Sequence, residues 1–436
     1  MTIHELINII HEECLKRDFR HDMTPGNSSL FKNMCENTFE AVEINSSLEK
    51  CLIPQVGTLF FLYRGQNKEY IPCVPSLYRG NPSDVDIFIE RMRLVMFERL
   101  LESHPVIVDF FHKHHFKVDV EGLAQHYGLK TSVLDLTSNL DIALFFATCW
   151  YDEDHDEYHF YDDEQEHEAV LYVFVPILDN EPTPSSNEAN YLNHNIRPIG
   201  LQAFPRPGAQ EGYGLHIPKG GSTKSYLYRF TFTCEDSKYY YEKFKKGESL
   251  WIKDMLIHKT NKIASLNEFS YSLFNETYKR YKPKGYSASK LKTELSKKVT
   301  LDVNIPDVVF SEEEKRYIKD DWNNETGALM ASKIFRKRWF EHDPIPEENF
   351  ATSSFTLQGI TNEHSYRTLS RISINEMLNF MACPDLLKKA EWKNYTHTAR
   401  PMERPNKNDG KWIEVPASME DLFGKPFLAE KDWKIV

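Results

Sequence analysis

The chain has 436 residues, with 65 acidic against 53 basic side chains and a formal net charge of -12. That length exceeds one ordinary core, so two or three domains are expected, and the acidic balance argues against a protein that coats nucleic acid through bulk electrostatics. Seven cysteines, an odd count, stand at 14, 35, 51, 73, 149, 234 and 383 with no CxxC spacing, which fits a reducing cytoplasm and argues against structural zinc. No apolar run reaches about 18 residues and the start lacks a basic stretch followed by an apolar one, so neither a membrane span nor a secretion signal is expected.

In chain order, residues 2–5 form a capping box opening a helix whose face is Ile3, Leu6, Ile7, Ile10 and Cys14. Residues 22–29 read as a loop around Pro25-Gly26, and residues 30–48 as a second helix. Residues 58–66, TLFFLYRGQ, are a strand running straight into Arg64-Gly65-Gln66. A charge at the end of a buried strand is costly unless paired. It either emerges and meets a carboxylate or grips an anion, because guanidinium matches phosphate with two parallel hydrogen bonds. Residues 80–84 are a turn, Ser83 caps a helix over 85–101, and its face is Phe88, Met92, Val95, Met96 and Leu100. Residues 106–111 and 118–127 continue the helical region; His112, His114 and His115 read as a solvated helix end, since no Cys or carboxylate sits at ligand spacing.

The stretch 124–150 organises the chain. A helix closes at Tyr127, Gly128 supplies the stop, residues 131–136 form a core strand, Thr137-Ser138-Asn139 is a turn and cap, and residues 142–150 form a helix that is apolar almost all round. Asp135, Thr137 and Ser138 lie between those buried elements, as caps or as a binding site. Residues 152–168 are densely acidic and read as a flexible exposed loop. Strands are expected at 169–177 and 226–233, a loop at 179–190, and a helix at 269–282. Residues 279–298 form a basic linker, Ser311 starts a further helix, and residues 300–436 mix Trp322, Trp339, Trp392, Trp412 and Trp433 with charges and prolines but carry no motif.

Two blocks carry a resemblance. Tyr63-Arg64-Gly65-Gln66 with Pro75-Ser76-Leu77-Tyr78-Arg79, then Ala124-Gln125-His126-Tyr127-Gly128-Leu129, Thr131, Leu134-Asp135, Thr137 and Ala143-Leu144-Phe145-Phe146-Ala147, resemble the FRG family, named for its (F/Y)RG motif. A third block, Arg206 followed by Ala209-Gln210-Glu211-Gly212-Tyr213, resembles that family's final signature. Lys130, Ser132 and Leu136 depart from its usual Pro, Arg and Trp, which alters the rim of a site more than its floor. The resemblance implies an N-terminal helical segment (1–50), an FRG domain (51–285) and a C-terminal accessory domain (286–436).

The same pattern resembles ADP-ribosyltransferases. Arg64 fits the Arg of their first strand, Asp135-Leu136-Thr137-Ser138 stands where Ser-Thr-Ser belongs, and Gln210-Glu211 stands near their late Gln-x-Glu motif without its spacing. That resemblance implies an α+β fold: a mixed, split β-sheet core surrounded by helices, with a smaller C-terminal domain. It implies NAD as substrate and no metal. Breaking the nicotinamide–ribose bond builds positive charge on the ribose, which a fixed carboxylate stabilises. Glu211 would supply it; Arg64 would hold the diphosphate; Gln66, Gln125, His126, Asp135, Thr137, Ser138 and Gln210 would line the site; Tyr127 or Tyr213 would stack on a ring. A protein or nucleic-acid acceptor is implied by the same resemblance, and a role as a bacterial toxin or phage-defence effector by the resemblance to the FRG family. The alternatives are a non-catalytic nucleotide- or protein-binding module and an RNA- or nucleotide-processing enzyme with His126 as acid/base.

Overall fold

The computed structural model describes residues 1–17, 61–112, 118–174, 196–221 and 225–322, together with strands at Phe39–Glu43, Lys50–Pro54, Phe335–Trp339, Ser354–Ile360, Ser365–Tyr366, Glu391–Thr398 and Trp412–Pro416. The loops expected at 22–29 and 179–190, the side chains of His112, His114 and His115, and those of the four tryptophans beyond Trp322 lie outside what is described.

Helix α1 (Ile3–Arg17) starts at its capping box: Thr2 N donates to Glu5 Oε2 at 2.9 Å and Glu5 N donates to Thr2 Oγ1 at 3.3 Å. Ile3, Leu6 and Ile10 are buried. Within the helix expected over 30–48, the described residues 39–43 form a strand instead. Strand β1 (Phe39–Glu43) pairs antiparallel with β2 (Lys50–Pro54). Main-chain pairing of 39–43 with 50–54 outweighs the helix preference of Glu40, Ala41 and Glu43.

Strand β3 (Leu62–Gln66) leads to a 3-10 turn at Ser76–Tyr78 and to α2 (Asp84–Glu102), capped by Ser83 with Asp86. Helix α3 (Val120–His126) ends before Gly128, whose φ of +85° only glycine adopts without strain. Strand β4 (Val133–Thr137) then turns through Asn139, whose side chain caps α4 (Leu140–Thr148). Residues 152–168 depart from the expected loop: β5 (Cys149–Asp152) and β6 (Glu157–Phe160) form a hairpin, and β7 (His167–Phe174) comes next. Aromatic packing defeats the charge repulsion. Tyr158 lies 5.0 Å from the Phe145 ring, Phe160 lies 5.2 Å from Tyr241, and Asp156 accepts from Trp251 Nε1 while pairing with Lys253.

Strand β8 (Ile196–Pro198), the short α5 (Pro205–Ala209), β9 (Gly212–His216) and β10 (Tyr226–Phe232) complete a six-stranded sheet in the order β10-β7-β3-β4-β9-β8. The expected mixed sheet does not form, because every pairing between these strands is antiparallel. Strands β3 and β4 meet at a single register pair, Tyr63 with Thr137, and then part. Helix α4 packs on β3 so closely that a Cβ on Gly65 would stand 1.7 Å from the Ala143 carbonyl oxygen. Since side chains alternate along a strand, Arg64 and Gln66 point away from α4. On β9, a Cβ on Gly212 would stand 2.9 Å from His126 Nε2, so this bare strand admits α3.

Helices α6 (Cys234–Lys243), α7 (Met255–Ala264), α8 (Tyr271–Tyr281), α9 (Ala288–Leu295) and α10 (Glu312–Asp321) complete the described chain, with β11 (Glu268–Ser270) parallel to β12 (Thr300–Asp302). The fold is thus α+β, an antiparallel sheet with helices. One core joins α1, α4 and the central strands. A second joins α2, α3, α7, α8 and α9 with Phe310, Ile318 and Trp322. The expected boundary at 285/286 falls inside this second core: Leu291, Leu295, Val299 and Val308 pack with residues of α2 and α8. The basic residues of 279–298 are engaged locally, Lys298 with Asp86, Arg280 with Glu98 and Glu276, and Lys292 over the Tyr271 and Phe274 rings. Among the described residues no helix is long and apolar enough to cross a membrane.

This packing is open to two tests. Gly65→Ala is expected to lower stability by about 3 kcal/mol, since the new methyl meets backbone rather than a yielding side chain; urea denaturation measures it. His104 lies between the Phe204 and Phe310 rings, accepts from Ile107 N through Nδ1, and has its pKa pushed down to about 3 by burial. The unfolded chain protonates His104 near 6.5 and the folded one near 3. Its stabilisation is therefore complete above pH 6.5 and is lost as pH falls through that window, by about 1.4 kcal/mol per unit. His104→Phe should flatten this part of the stability–pH profile relative to the parent chain.

Candidate functional site

Arg64 leaves β3 where β4 diverges, and its Nη1 donates to the main-chain carbonyl of Asp135 at 2.9 Å. Among the described residues no carboxylate pairs with it, and its buried Nε has no partner. The Oε1 of Gln66, two residues on, is also buried without a partner, as is Asp135 Oδ1. Buried polar atoms in folded proteins are nearly always satisfied, so three such atoms in two adjoining strands mark unused hydrogen-bonding capacity.

Gln125 ties the second sequence block to the first. Its Oε1 accepts from Ser76 Oγ at 2.9 Å and from Thr131 Oγ1 at 2.7 Å, and its Nε2 donates to Asp135 Oδ2 at 3.3 Å. Thr131 N donates back to Ser76 Oγ at 3.1 Å. One amide thus docks the turn bearing Ser76 against the start of β4. The next residue, His126, is fully enclosed, with Nε2 3.8 Å from Asp135 Oδ1, beyond hydrogen-bond range. Burial lowers its pKa, and the Asp135 charge acts in the opposite direction, so the imidazole sits neutral beside a carboxylate.

Glu211 belongs to a second group at the other end of β4. Ser138 Oγ donates to its Oε2 and Asn139 Nδ2 to its Oε1, both at 3.0 Å. Ser138 N also donates to the Glu211 carbonyl, at 3.4 Å. Glu211 is buried and holds φ at +46°, a left-handed conformation that costs a non-glycine residue about 1–2 kcal/mol. The Ser138 and Asn139 hydrogen bonds offset that strain. Thr137 Oγ1 accepts from Asn139 N at 3.1 Å and so shapes the same turn.

Of the remaining expected residues, Gln210 also meets His126 of the first group, and the others reach outside the two groups. Tyr127 donates its hydroxyl to Asp254 and packs its ring against Phe204. Burial raises the pKa of Asp254, opposed by that hydroxyl and by Arg206. Gln210 Nε2 donates to the Leu250 carbonyl at 3.0 Å. Tyr213 is opposite Leu136 on β9, on the face away from Gly212 and Gly214, and is buried in the core with α4.

Arg206, to which the sequence assigns no role beyond its motif, is firmly anchored by the main chain. It donates to the His126 carbonyl at 3.0 Å and twice to Ile252 O, with Tyr127 and Trp251 on its faces at 4.7 and 4.1 Å. Sequence reasoning also missed Glu121, which accepts from Arg91 Nη1, Ser132 N and Ser132 Oγ. Burial alone would raise the Glu121 pKa; Arg91 and Ser132 outweigh it and hold the carboxyl below the usual range. The departure at Ser132 thus has a structural partner.

Residues 60–157 match the FRG domain family. The match spans β3, the turn at Ser76–Tyr78, α2, α3, β4, α4 and β5, and therefore both the Arg64 and the Gln125 clusters. It stops short of Arg206 and Glu211. No curated protein and no solved structure matches the chain. Among the described residues no group of three or more His, Cys, Asp or Glu is placed to hold a metal ion.

Arg206→Met keeps the volume and removes three hydrogen bonds to buried carbonyls. It is expected to destabilise the chain by roughly 3 kcal/mol, read as a shift in the urea midpoint.

Proposed function

We propose that the chain uses NAD, as an ADP-ribosyltransferase-like protein or an NAD glycohydrolase, with the parted strands β3 and β4 as a split core of that type. The observation that carries this reading is Arg64: a guanidinium pinned by one nitrogen to the Asp135 carbonyl, with a buried Nε unpartnered and no carboxylate paired with it among the described residues. Such a cation is complemented by an anion from outside, and a phosphate group fits it. Arg64 would hold the diphosphate, with Gln66, Gln125 and Asp135 presenting further polar atoms beside it.

In the chemical step the bond between nicotinamide and ribose breaks, nicotinamide leaves with the bonding electrons, and the ribose carbon gains positive charge. The Glu211 carboxylate would stabilise that charge. Its φ of +46° supports the assignment, since strain of this kind gathers at functional sites. Ser138 and Asn139 would hold the carboxylate in place. The acceptor is water in a glycohydrolase and a protein or nucleic acid in a transferase, and a toxin or phage-defence effector is the setting in which either would act.

A second reading is a nucleotide-binding module without cleavage. It is favoured by the Glu211 carboxylate, both of whose oxygens already accept hydrogen bonds within the β4–α4 junction. Incubation with NAD and measurement of free nicotinamide separates the two. The enzyme reading expects nicotinamide from the parent chain, at least about a hundredfold loss of kcat in Glu211→Gln with NAD still bound, and roughly hundredfold weaker NAD binding in Arg64→Ala. NAD binding without nicotinamide release, with or without candidate acceptors, would favour the binding module. Turnover that survives both substitutions would remove these residues from the mechanism.

A further inference from the structure

Arg79 closes the Pro75-Ser76-Leu77-Tyr78-Arg79 segment and takes no part in the chemistry proposed for Arg64 and Glu211. Its position is set by the same contacts that build the Arg64 site. Leu77 N donates to the Thr131 carbonyl at 3.1 Å, Ser76 is held by Gln125, Gln125 reaches Asp135, and the Asp135 carbonyl holds Arg64. Arg79 N donates to Ser76 O at 3.4 Å and its Nε to Val74 O at 3.3 Å. Those bonds fix the root of its guanidinium; neither terminal nitrogen is engaged by a described residue.

Five other arginines make the contrast, while Arg206 is spent on main-chain carbonyls. Arg91, Arg93, Arg99, Arg229 and Arg280 each pair with a carboxylate. Arg64 and Arg79 have no such partner among the described residues, and the turn leading to Arg79 is tied through Gln125 and Asp135 to the Arg64 site. The pKa of Arg79 is lowered by burial first and then by the Arg64 charge, with Cys73, Asp135 and Tyr70 acting the other way. Asp135 lies near both cations, but its Oδ2 accepts from Gln125 and its Oδ1 bonds to neither arginine. Two adjacent cations without a bridging carboxylate repel one another, at a cost that grows as water is excluded. An anion with two charged centres, each taken by one guanidinium, removes that cost.

We propose that Arg64 and Arg79 form a clamp for two adjacent phosphoryl groups, so that the site selects the diphosphate of a nucleotide over a monophosphate. The proposal rests on the anion-binding role of Arg64 and adds Arg79 as the residue that sets selectivity. Arg64, in the sheet, fixes one phosphoryl group; Arg79, exposed at the end of the Ser76–Tyr78 turn, closes on the second.

The test is calorimetric titration of the full chain with ADP, AMP and adenosine, repeated with Arg79→Ala and Arg79→Lys. The clamp requires ADP to bind at least about tenfold more tightly than AMP. It requires Arg79→Ala to abolish most of that preference while leaving AMP affinity nearly unchanged, and Arg79→Lys to retain part of it, since an ammonium supplies charge without the fork. Arg79 is exposed, so the melting temperature of both variants should match the parent. Equal affinity for ADP and AMP, a preference for ADP that survives Arg79→Ala, or no binding of ADP would overturn the clamp. An ADP preference that depends on Arg79 in a chain that never releases nicotinamide keeps the clamp and removes the enzyme. Nicotinamide release that needs Arg64 and Glu211 while ADP and AMP bind alike does the reverse.

Discussion

A carbonyl oxygen at the edge of a parting sheet is the constraint around which this chain is arranged. Beyond Tyr63 and Thr137, β3 no longer runs alongside β4, and main-chain polar groups left there need partners from elsewhere. The Arg64 side chain provides one by donating to Asp135 O. The guanidinium is thereby immobilised by neutral backbone rather than by a carboxylate of any described residue. Gln125 then closes the gap from the helical side and brings the turn with Ser76 and Arg79 to the same place. A backbone divergence, one arginine and one amide thus account for the concentration of polar atoms there.

The helices on either side are positioned by what the sheet lacks. Gly65 leaves room for α4, Gly212 for His126 of α3. Each glycine replaces a layer of side chain by direct approach of two elements. The polar junctions sit next to these approaches, because α3 and α4 end or begin there and their unpaired main-chain groups require caps. Asn139 serves that purpose at the start of α4. Site-building and helix-capping therefore draw on the same short stretch.

Much of this was legible in the order of residues. The capping boxes at Thr2, Ser83 and Ser311, the stop at Gly128, the apolar face of α2 and the strand–turn–helix from β4 to α4 obey local rules that need no distant partner. The same locality kept Gln125, Asp135, Thr137 and Ser138 in view. Failures came where long-range contacts decided. Residues 39–43 read as helix until their pairing with 50–54 is known. The acidic stretch after Asp152 reads as loop until Phe145, Tyr241 and Trp251 arrive to cover Tyr158, Phe160 and Asp156. The basic residues of 279–298 read as linker until Asp86, Glu98 and Glu276 meet them. Arg206 is the clearest case: its acceptors, at His126 and Ile252, are 80 and 46 positions away in the chain, and nothing in its neighbours announces them.

The missing side chain at Gly65 also decides what kind of motion is open to the arginine before it. With the Ala143 carbonyl pressed against the bare Cα of the next residue, the strand has no slack perpendicular to the sheet. Any adjustment toward a ligand has to be made by swinging the arm of Arg64 about its own single bonds. Tightness in the backbone thus confines adaptation to the outermost atoms of the grip.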